Sequence, residues 1–308
     1  MRAPPAGVLF RPPTLDDADG VAALISARDA FDFGEEPRLT GDEVRSWWRP
    51  DAERLVSDAW IAVREGEAVG FARMGRSGEV AEVADEACVH PDARRQGIGT
   101  HLFDLAEGWA HGHGLKRLFA SIVNDGGRRL LEGRGHALIR HFWRMEIELA
   151  EEPALPEPPP GLRIRPYRPA QDDLPLHAAH QDAFRALWEF TPEPLGEWLA
   201  SRHEREDYRP ELWQLAVNGD EIAGAALCFG ADGFGWVLDL FVGEHWRGRG
   251  LGFSLLVTGF RELQWHGFPR VGLDVDSANP TGATRLYERA GMRVTRRYDA
   301  YEKRLAGP

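Results

Sequence analysis

Apolar segments alternate with short polar turns in the same order in both halves of the 308-residue chain. In the first half, the apolar run 60–63 is followed by a polar turn and the run 68–71. In the second half, the run 213–217 is followed by Asn-Gly-Asp and the run 222–225. Each pair of runs predicts a hairpin, and Asn-Gly is a strong signal because a type I′ turn requires positive φ at both central residues.

A proline-rich segment over 151–161 is the clearest break in this pattern. Proline at this density prevents helices and central strands and favours a stiff, extended spacer. Domains usually contain about 100–200 residues. We therefore predict an N-terminal domain over 1–150, a linker over 151–161 and a C-terminal domain over 162–308.

The two halves repeat each other along their length. Residues 86–99 align without a gap on residues 239–252. Further matches follow in the same order: 11–17 with 165–173, 113–114 with 266–267, and 130–135 with 286–291. Ordered matches across a whole half-chain indicate duplication of one domain.

In both halves an apolar strand leads into Arg-x-x-Gly-x-Gly and then an amphipathic helix. Glycines let the backbone approach a ligand, and the free amides and dipole of a helix N-terminus attract phosphate. Arg94 and Arg95, or Arg247 and Arg249, add positive charge. One copy is equally typical of a glycine-rich turn with solvated arginines, but two copies at the same place in a repeat favour pyrophosphate binding. The Rossmann and P-loop fingerprints are absent.

Composition narrows the classes of partner. The net charge of −12 repels nucleic acid, whose binding depends on neutralising phosphates. The two cysteines, Cys88 and Cys228, lie in apolar segments, which argues against a disulfide framework or zinc site and favours a reducing cytoplasm. No apolar run reaches the roughly 20 residues that span a bilayer, and the N-terminus lacks the features of a signal peptide. We therefore expect a cytoplasmic protein with no metal, nucleic-acid or membrane partner.

These motifs resemble those of the GNAT acyltransferase superfamily. The segment 239–242 with the loop 247–252 looks like motif A of the family, and 279–280 with 285–292 looks like motif B. The tandem arrangement and the ending 298–301 are also similar to mycothiol synthase and its actinobacterial relatives. The resemblance covers essentially the whole chain, once per half. It implies an α+β fold class: two tandem domains, each a mixed, mostly antiparallel sheet flanked by helices.

The resemblance also implies which residues hold acetyl-CoA, the acyl donor of the family. Backbone amides at the end of the strand before the loop would bind the pantetheine and form an oxyanion hole. The loop would bind the pyrophosphate, and the asparagine where the next strand ends would contact the cofactor, although Asn-Pro also starts turns. In the second half these positions are Phe241, Val242, Gly243, Arg247, Gly248, Arg249, Gly250, Leu251, Gly252, Phe253 and Asn279. The matching positions in the first half are Val89, Arg94, Arg95, Gln96, Gly97, Ile98, Gly99 and Thr100.

Tyr287 matches the general acid of the family, which protonates the departing CoA thiolate. The alternative is an aromatic residue on the core face of a helix. Many GNAT enzymes use a carboxylate on the strand before the loop as general base, and Asp239 is the only carboxylate there. A strand glutamate of mycothiol synthase aligns with Trp236. In the first half Leu131 stands in the place of Tyr287, so that half either binds CoA without turnover or serves as structure.

Helices over 177–210 cap the acceptor site in GNAT folds, and Glu189 and Glu193 are candidates to face an amine there. The predicted function is transfer of an acetyl group from acetyl-CoA to a primary amine of a small molecule, by direct attack in a ternary complex in the second half. The alternative is a non-catalytic acyl-CoA-binding or sensor protein in which both halves are degenerate. Tyr287 and Asn279 favour the enzyme.

Overall fold

The computed structural model describes residues 3–34, 39–84, 86–187, 190–205, 207–231, 233–279 and 281–305. The strands are β1 (Leu9–Arg11), β2 (Ala59–Arg64), β3 (Glu67–Ser77), β4 (Val80–Val83), β5 (Cys88–Val89), β6 (Arg117–Ile122), β7 (Ala137–Glu148), β8 (Arg163–Pro166), β9 (Gln214–Asn218), β10 (Glu221–Ala231), β11 (Phe234–Val242), β12 (Arg270–Asp276) and β13 (Arg293–Arg304). The helices are α1 (Ala18–Phe33), α2 (Gly41–Trp48), α3 (Leu55–Asp58), α4 (Ile98–Gly112), α5 (Asp125–Glu132), α6 (Asp173–Phe184), α7 (Leu195–His203), α8 (Leu251–Trp265) and α9 (Ala283–Arg289).

The chain forms two compact units. The first contains Met1–His141 together with Arg296–Pro308, and its strands follow the order β1-β2-β3-β4-β6-β13, with β5 paired to β3. The pairs are antiparallel except β4 with β6. The strand from the end of the chain is well anchored, because Tyr301 is 1% exposed and its hydroxyl donates to Glu132 at 3.0 Å.

The second unit contains Phe142–Thr295, and its strands follow the order β8-β9-β10-β11-β12-β7. Only β11 and β12 run parallel among these pairs. The part of β7 in this unit pairs with the whole of β12, with Met145 fully buried and Glu146 bonded to Arg270 at 2.6 Å. Both units therefore have the predicted α+β architecture, a mixed and mostly antiparallel sheet flanked by helices.

Each unit is completed by a strand from the other half of the sequence. In the first unit β13 takes the place beside β6, and in the second unit β7 takes the place beside β12. The segment 149–162 between β7 and β8 contains no helix or strand. The predicted division at 151–161 describes where the repeat is divided along the chain. The compact units are discontinuous in sequence and do not test this division, so it stays a prediction.

Both predicted hairpins are present, as β2 with β3 and β9 with β10. The turn of the second hairpin differs from the expected type. Its central residues are Gly219 and Asp220, and only Gly219 has a positive φ, of 59°. Positive φ at the first central residue alone is the pattern of a type II′ turn, so glycine is needed at that position and not at the next.

The repeated Arg-Pro and acidic pair joins the first strand of each unit to the helix that follows. Arg11 bonds to both carboxylate oxygens of Asp17, and Arg165 bonds likewise to Asp172 at 2.6 and 2.8 Å. A bidentate arginine–carboxylate pair fixes orientation as well as distance. The pair therefore sets the angle at which α1 and α6 leave the sheet.

The sheet of the second unit carries a separate core on each face. One core lies under α8 and α9 and includes Val237, Leu251 and Tyr287. The other lies under α6 and α7 and includes Trp198 and Phe241. The side chains of β11 are divided between these two cores, which places this strand at the centre of the unit.

Candidate active site

The sheet of the second unit opens beside β11. Parallel pairing with β12 is limited to 234–236 against 270–272, although β11 continues to Val242 and β12 to Asp276. Successive amides along an extended strand point to opposite edges. The Gly243 amide donates to the Ala223 carbonyl on the β10 side at 2.9 Å, so the Val242 amide points to the edge that β12 has left. Of the three amides predicted for the oxyanion hole, the amide of Val242 therefore faces the opening.

A β-bulge at Leu238 decides which side chains of β11 share a face. Leu227 and Cys228 of β10 oppose Asp239 and Val237, which leaves Leu238 without a partner. Because of the extra residue, Trp236 packs against the same core as Phe241, and Asp239 lies on that face too. Bulges next to active sites commonly redirect a side chain in this way. The face on which Asp239 lies is the one covered by α6 and α7.

The glycine loop has the backbone geometry of an anion site. Gly248 and Gly250 have φ of 73° and 86°, and α8 begins directly after Gly250. The space where a Cβ would stand at either glycine is open. The first amides of a helix have no intrahelical acceptor, and α8 continues for 15 residues behind them. The loop therefore presents free N–H groups and the positive end of a helix dipole to the outside.

The two loop arginines remain available to an anion. Arg247 donates from Nε to the Val242 carbonyl at 3.0 Å, and the guanidinium of Arg249 lies 5.3 Å from the ring centre of Trp246. Neither forms an ion pair with a carboxylate within the described ranges. Both positive charges are thus held at the loop by neutral groups, so their attraction for a phosphate is not cancelled locally.

In the corresponding loop of the first unit, the charge of Arg94 is neutralised by an internal carboxylate. Arg94 repeats the contact to the strand carbonyl, from Nε to Val89 at 3.3 Å, but both its terminal nitrogens donate to Asp32 at 2.8 Å. The Asp32 side chain is 6% exposed and also accepts from Asn124 at 3.1 Å. Asn124 stands where the second half has Asn279. The carboxylate of Asp32 thus accepts hydrogen bonds from both Arg94 and Asn124.

The rest of the first loop keeps the backbone geometry of the repeat. Gly97, the residue before α4, has φ of 87°, and Arg95 also has positive φ, of 64°. The Gln96 side chain bonds to Arg64 and to the Asp92 carbonyl. Ile98, Gly99 and Thr100 form the start of α4, as Leu251, Gly252 and Phe253 form the start of α8.

Asn279 has its side-chain carbonyl engaged in a turn. Oδ1 accepts from the amide and the hydroxyl of Thr281, at 2.9 and 2.6 Å. The neighbouring Pro280 lies outside the described residues. Both predicted roles are compatible with this geometry, because the turn uses the oxygen while the side-chain nitrogen of Asn279 has no partner in the described part of the chain.

Tyr287 lies on α9 with its ring buried, 7% exposed, in the same core as Leu251. Leu286, beside it, packs against the first turn of α8, where a Cβ at Gly252 would stand 3.0 Å from its Cδ1. The Tyr287 hydroxyl forms no hydrogen bond within the described ranges. Burial raises the pKa of Tyr287 to about 12, so the phenol keeps its proton at neutral pH. Tyr287 is therefore neutral and can act as a donor of a hydrogen bond or a proton.

Asp239 lies on the other face and is enclosed by cationic and polar groups. Its Oδ2 lies 3.1 Å from Arg202 of α7 and 3.3 Å from Nε2 of His180 of α6. Burial raises the pKa of Asp239, but the contacts with His180 and Arg202 outweigh it and hold the pKa below its usual range. The carboxylate is thus ionised, with Oδ1 lacking a partner in the described part of the chain.

Sequence reasoning did not identify His180 and Arg202. The signal for His180 is the helical spacing of His177, His180 and Phe184, which places three rings on one face of α6. Of the two predicted glutamates, Glu193 bonds to Arg202 at 3.4 Å, and Glu189 lies outside the described residues.

Among the described residues, no group of three His, Cys, Asp or Glu side chains is placed so that it could hold a metal ion. Within the same ranges, no helix combines the length and the apolar character that crossing a membrane requires.

Comparison with known proteins assigns both units to one family. The profile of the Acetyltransferase (GNAT) family matches residues 22–135 and 175–292. Relatives named mycothiol acetyltransferase include one from Catenulispora acidiphila, 31% identical over 77% of this chain and 79% of its own, and one from Thermobispora bispora, 34% identical over 67% and 71%. A GCN5-related N-acetyltransferase from Sphaerobacter thermophilus has a similar structure, with a TM-score of 0.88, 32% identity and coverage of 99% of this chain and 98% of its own. A tandem GNAT protein from the clavulanic acid biosynthesis pathway shares the fold, with a TM-score of 0.74, 18% identity and coverage of 98% and 99%. The chain is therefore a member of the GNAT acetyltransferase family, with a match to the family in each half.

Proposed function

We propose that the second unit transfers an acetyl group from acetyl-CoA to a primary amine of a small molecule, by direct attack in a ternary complex. The observation that supports this most is the opening between β11 and β12, with the unpaired glycine loop following β11. The amides of 248–252, with Arg247 and Arg249, would hold the pyrophosphate. The pantetheine would lie along the open edge of β11, with the thioester carbonyl at the Val242 amide, and Asn279 would contact the cofactor through its side-chain nitrogen.

The two faces of β11 suggest how attack and departure are separated. The amine would approach from the face of α6 and α7, where Asp239 accepts its proton directly or through water. As the C–N bond forms, negative charge on the carbonyl oxygen would be stabilised by the Val242 amide, a donor that needs no reorganisation. As the C–S bond breaks, Tyr287 on the face of α8 and α9 would protonate the CoA thiolate.

The cysteines support direct attack over a covalent acetyl-enzyme. Burial raises the pKa of Cys228 to about 12 and that of Cys88 to about 11. Since the thiolate is the nucleophilic form, neither cysteine is activated at neutral pH.

We propose a small primary amine as the acceptor and do not specify it further. Two of the relatives are named mycothiol acetyltransferase, and their similarity covers most of this chain. Trp236, however, stands where the strand glutamate of that enzyme aligns, and here it packs beside Arg144, 4.8 Å from its guanidinium. The acidic group for the acceptor would instead come from Asp239.

For the first unit, the contacts of Asp32 support a structural role more than cofactor binding. Leu131, at the position of Tyr287, is 1% exposed and has no proton to donate. The assignment of Val89 and Arg94–Thr100 to a cofactor site stays a prediction.

The test is acetyl-CoA turnover with a panel of amino sugars, amino acid amides and polyamines, followed by release of free CoA and by the mass of the product. We expect amine-dependent CoA release with a gain of one acetyl group on nitrogen. Tight acetyl-CoA binding without turnover of any amine would support the non-catalytic acyl-CoA-binding alternative.

A further inference from the structure

His180 is enclosed by aromatic rings beside the proposed reaction centre. It is 5% exposed and stacks on Phe184, with ring centres 4.4 Å apart. Its edges meet Trp198 at 5.4 Å and Phe241 at 5.7 Å. Phe241 directly precedes Val242, whose amide faces the opening of the sheet. A polar ring therefore lies among aromatic side chains, next to the strand that would hold the thioester.

The hydrogen bonds around the ring determine which nitrogen carries the proton. The Glu193 amide donates to Oε1 of Gln181 at 3.0 Å, so the side-chain nitrogen of Gln181 faces Nδ1 of His180 at 3.3 Å. Nδ1 is then the acceptor, and the ring nitrogen that carries a hydrogen is Nε2. Nε2 is buried, has no well-aligned hydrogen bond and lies 3.3 Å from Oδ2 of Asp239. The Nε2 edge of the ring thus faces that carboxylate across a polar contact.

Three ionisable groups surround Asp239 from the elements packed on this face of β11. They are His180 from α6, Arg202 from α7, and Glu193, which precedes α7 and bonds to Arg202. Arginine and carboxylate commonly form a bidentate pair that uses both carboxylate oxygens. Here Arg202 contacts Oδ2 alone, from Nε and NH2 at 3.3 and 3.1 Å. The polar contact of His180 with Oδ2 is the feature of this geometry that opposes rotation of the carboxylate into the bidentate pair.

We propose that His180 is the positioning residue for Asp239, holding Oδ2 so that Oδ1 stays free to take the proton of the attacking amine. The inference rests on the acetyl transfer proposed above. As the C–N bond forms, the amine proton passes to Oδ1 directly or through one water molecule, and the CoA sulfur receives its proton from Tyr287. His180 neither gains nor loses a proton in this step. It acts through Asp239.

The experiment compares two substitutions that separate hydrogen bonding from packing. His180→Gln keeps a side-chain N–H donor and loses the ring, whereas His180→Phe keeps the ring and loses the donor. The Asp239 carboxyl is titrated in the full chain by NMR with carboxyl-labelled aspartate, its signal assigned from Asp239→Asn. Losing a donor to the ionised form raises a carboxyl pKa. We expect the Asp239 pKa to rise in His180→Phe and to stay near the wild-type value in His180→Gln.

Kinetics provide the second measurement, with acetyl-CoA and the best amine of the panel. We expect kcat to fall roughly tenfold in His180→Phe and by less in His180→Gln. Both losses should be smaller than the loss of about 10²–10⁴-fold that removal of a general base itself causes. An unmoved pKa, or a phenylalanine variant at least as active as the glutamine variant, would show that the ring serves packing and overturn the proposal. If His180→Phe does not fold, His180→Met supplies the apolar variant. Absence of turnover in the wild type would refute the proposed function instead, while the titration would still decide the role of His180.

Discussion

Replacing Tyr287 by phenylalanine removes one hydroxyl and keeps the buried ring. The ring is 7% exposed, and its hydroxyl forms no hydrogen bond within the described residues. A typical intramolecular hydrogen bond contributes about 0.5–1.5 kcal/mol to stability, and none is lost here. We therefore expect the free energy of unfolding of Tyr287→Phe to stay within about 0.5 kcal/mol of the wild type.

The kinetic effect should be much larger if the hydroxyl protonates the leaving thiolate. General acid catalysis contributes about 10²–10⁴-fold, and a thiolate is a fairly good leaving group, so we expect a fall in kcat near the lower end of that range. The loss arises in the transition state, so the KM for acetyl-CoA should change little. Steady-state CoA release, measured with a thiol-reactive dye, gives both constants.

Tyr301→Phe is the matched control in the first unit. Tyr301 is also buried, but its hydroxyl donates to the Glu132 carboxylate at 3.0 Å. Hydrogen bonds to charged groups contribute about 1.5–3 kcal/mol, so this variant should lower the unfolding free energy and leave kcat unchanged. The assignment of Tyr287 as acid would be refuted by a Tyr287→Phe enzyme with near wild-type kcat and a lowered melting temperature.

Three further substitutions and one control substitution test the loops and one ion pair. Gly250→Val should abolish acetyl-CoA binding, measured by calorimetry. Gly267→Val introduces a similar backbone strain, at φ of 87° after α8, and should retain binding. Equal loss of binding in both variants would show that strain alone is responsible. The wild type should bind one acetyl-CoA per chain, and Asp32→Ala should bind two, because this substitution removes the internal carboxylate from the first loop. Two acetyl-CoA molecules bound to the wild type would contradict the interpretation that Asp32 blocks that loop. Burial raises the pKa of Asp172, but its hydrogen bonds to Arg165 and to the Arg168 amide, with the charges of both arginines, together outweigh burial and lower the pKa. The contribution of Asp172 to stability is therefore present above the unfolded pKa of about 3.9 and lost as pH falls through the folded value. Asp172→Asn should therefore be destabilised in urea at pH 7 and converge with the wild type as the pH falls below the folded pKa of Asp172, and a constant difference across pH would refute this.

The sequence by itself determined the features that depend on neighbours along the chain. The two hairpins, the proline-rich break and the glycine loops are local, because a turn or helix start is decided by φ preferences and amides within a few residues. The ordered repeat then carried these features from one half to the other. It also aligned Tyr287 with Leu131, so the difference between the two halves at this position is visible in the sequence.

Only the tertiary structure decided the features that depend on pairing between distant segments. Alternation in the sequence places Asp239 and Phe241 on one face, but the bulge at Leu238, which adds Trp236 to that face, exists only in the register with β10. The exchange of β7 and β13 is equally hidden, because the last strands of two repeats satisfy the same pattern. The contacts of Asp32 with Arg94, 62 residues apart, and of His180 with Asp239 arise from the packing of helices on the sheet. Such contacts form wherever the whole fold buries the most apolar surface with its polar groups paired, and no local preference specifies them.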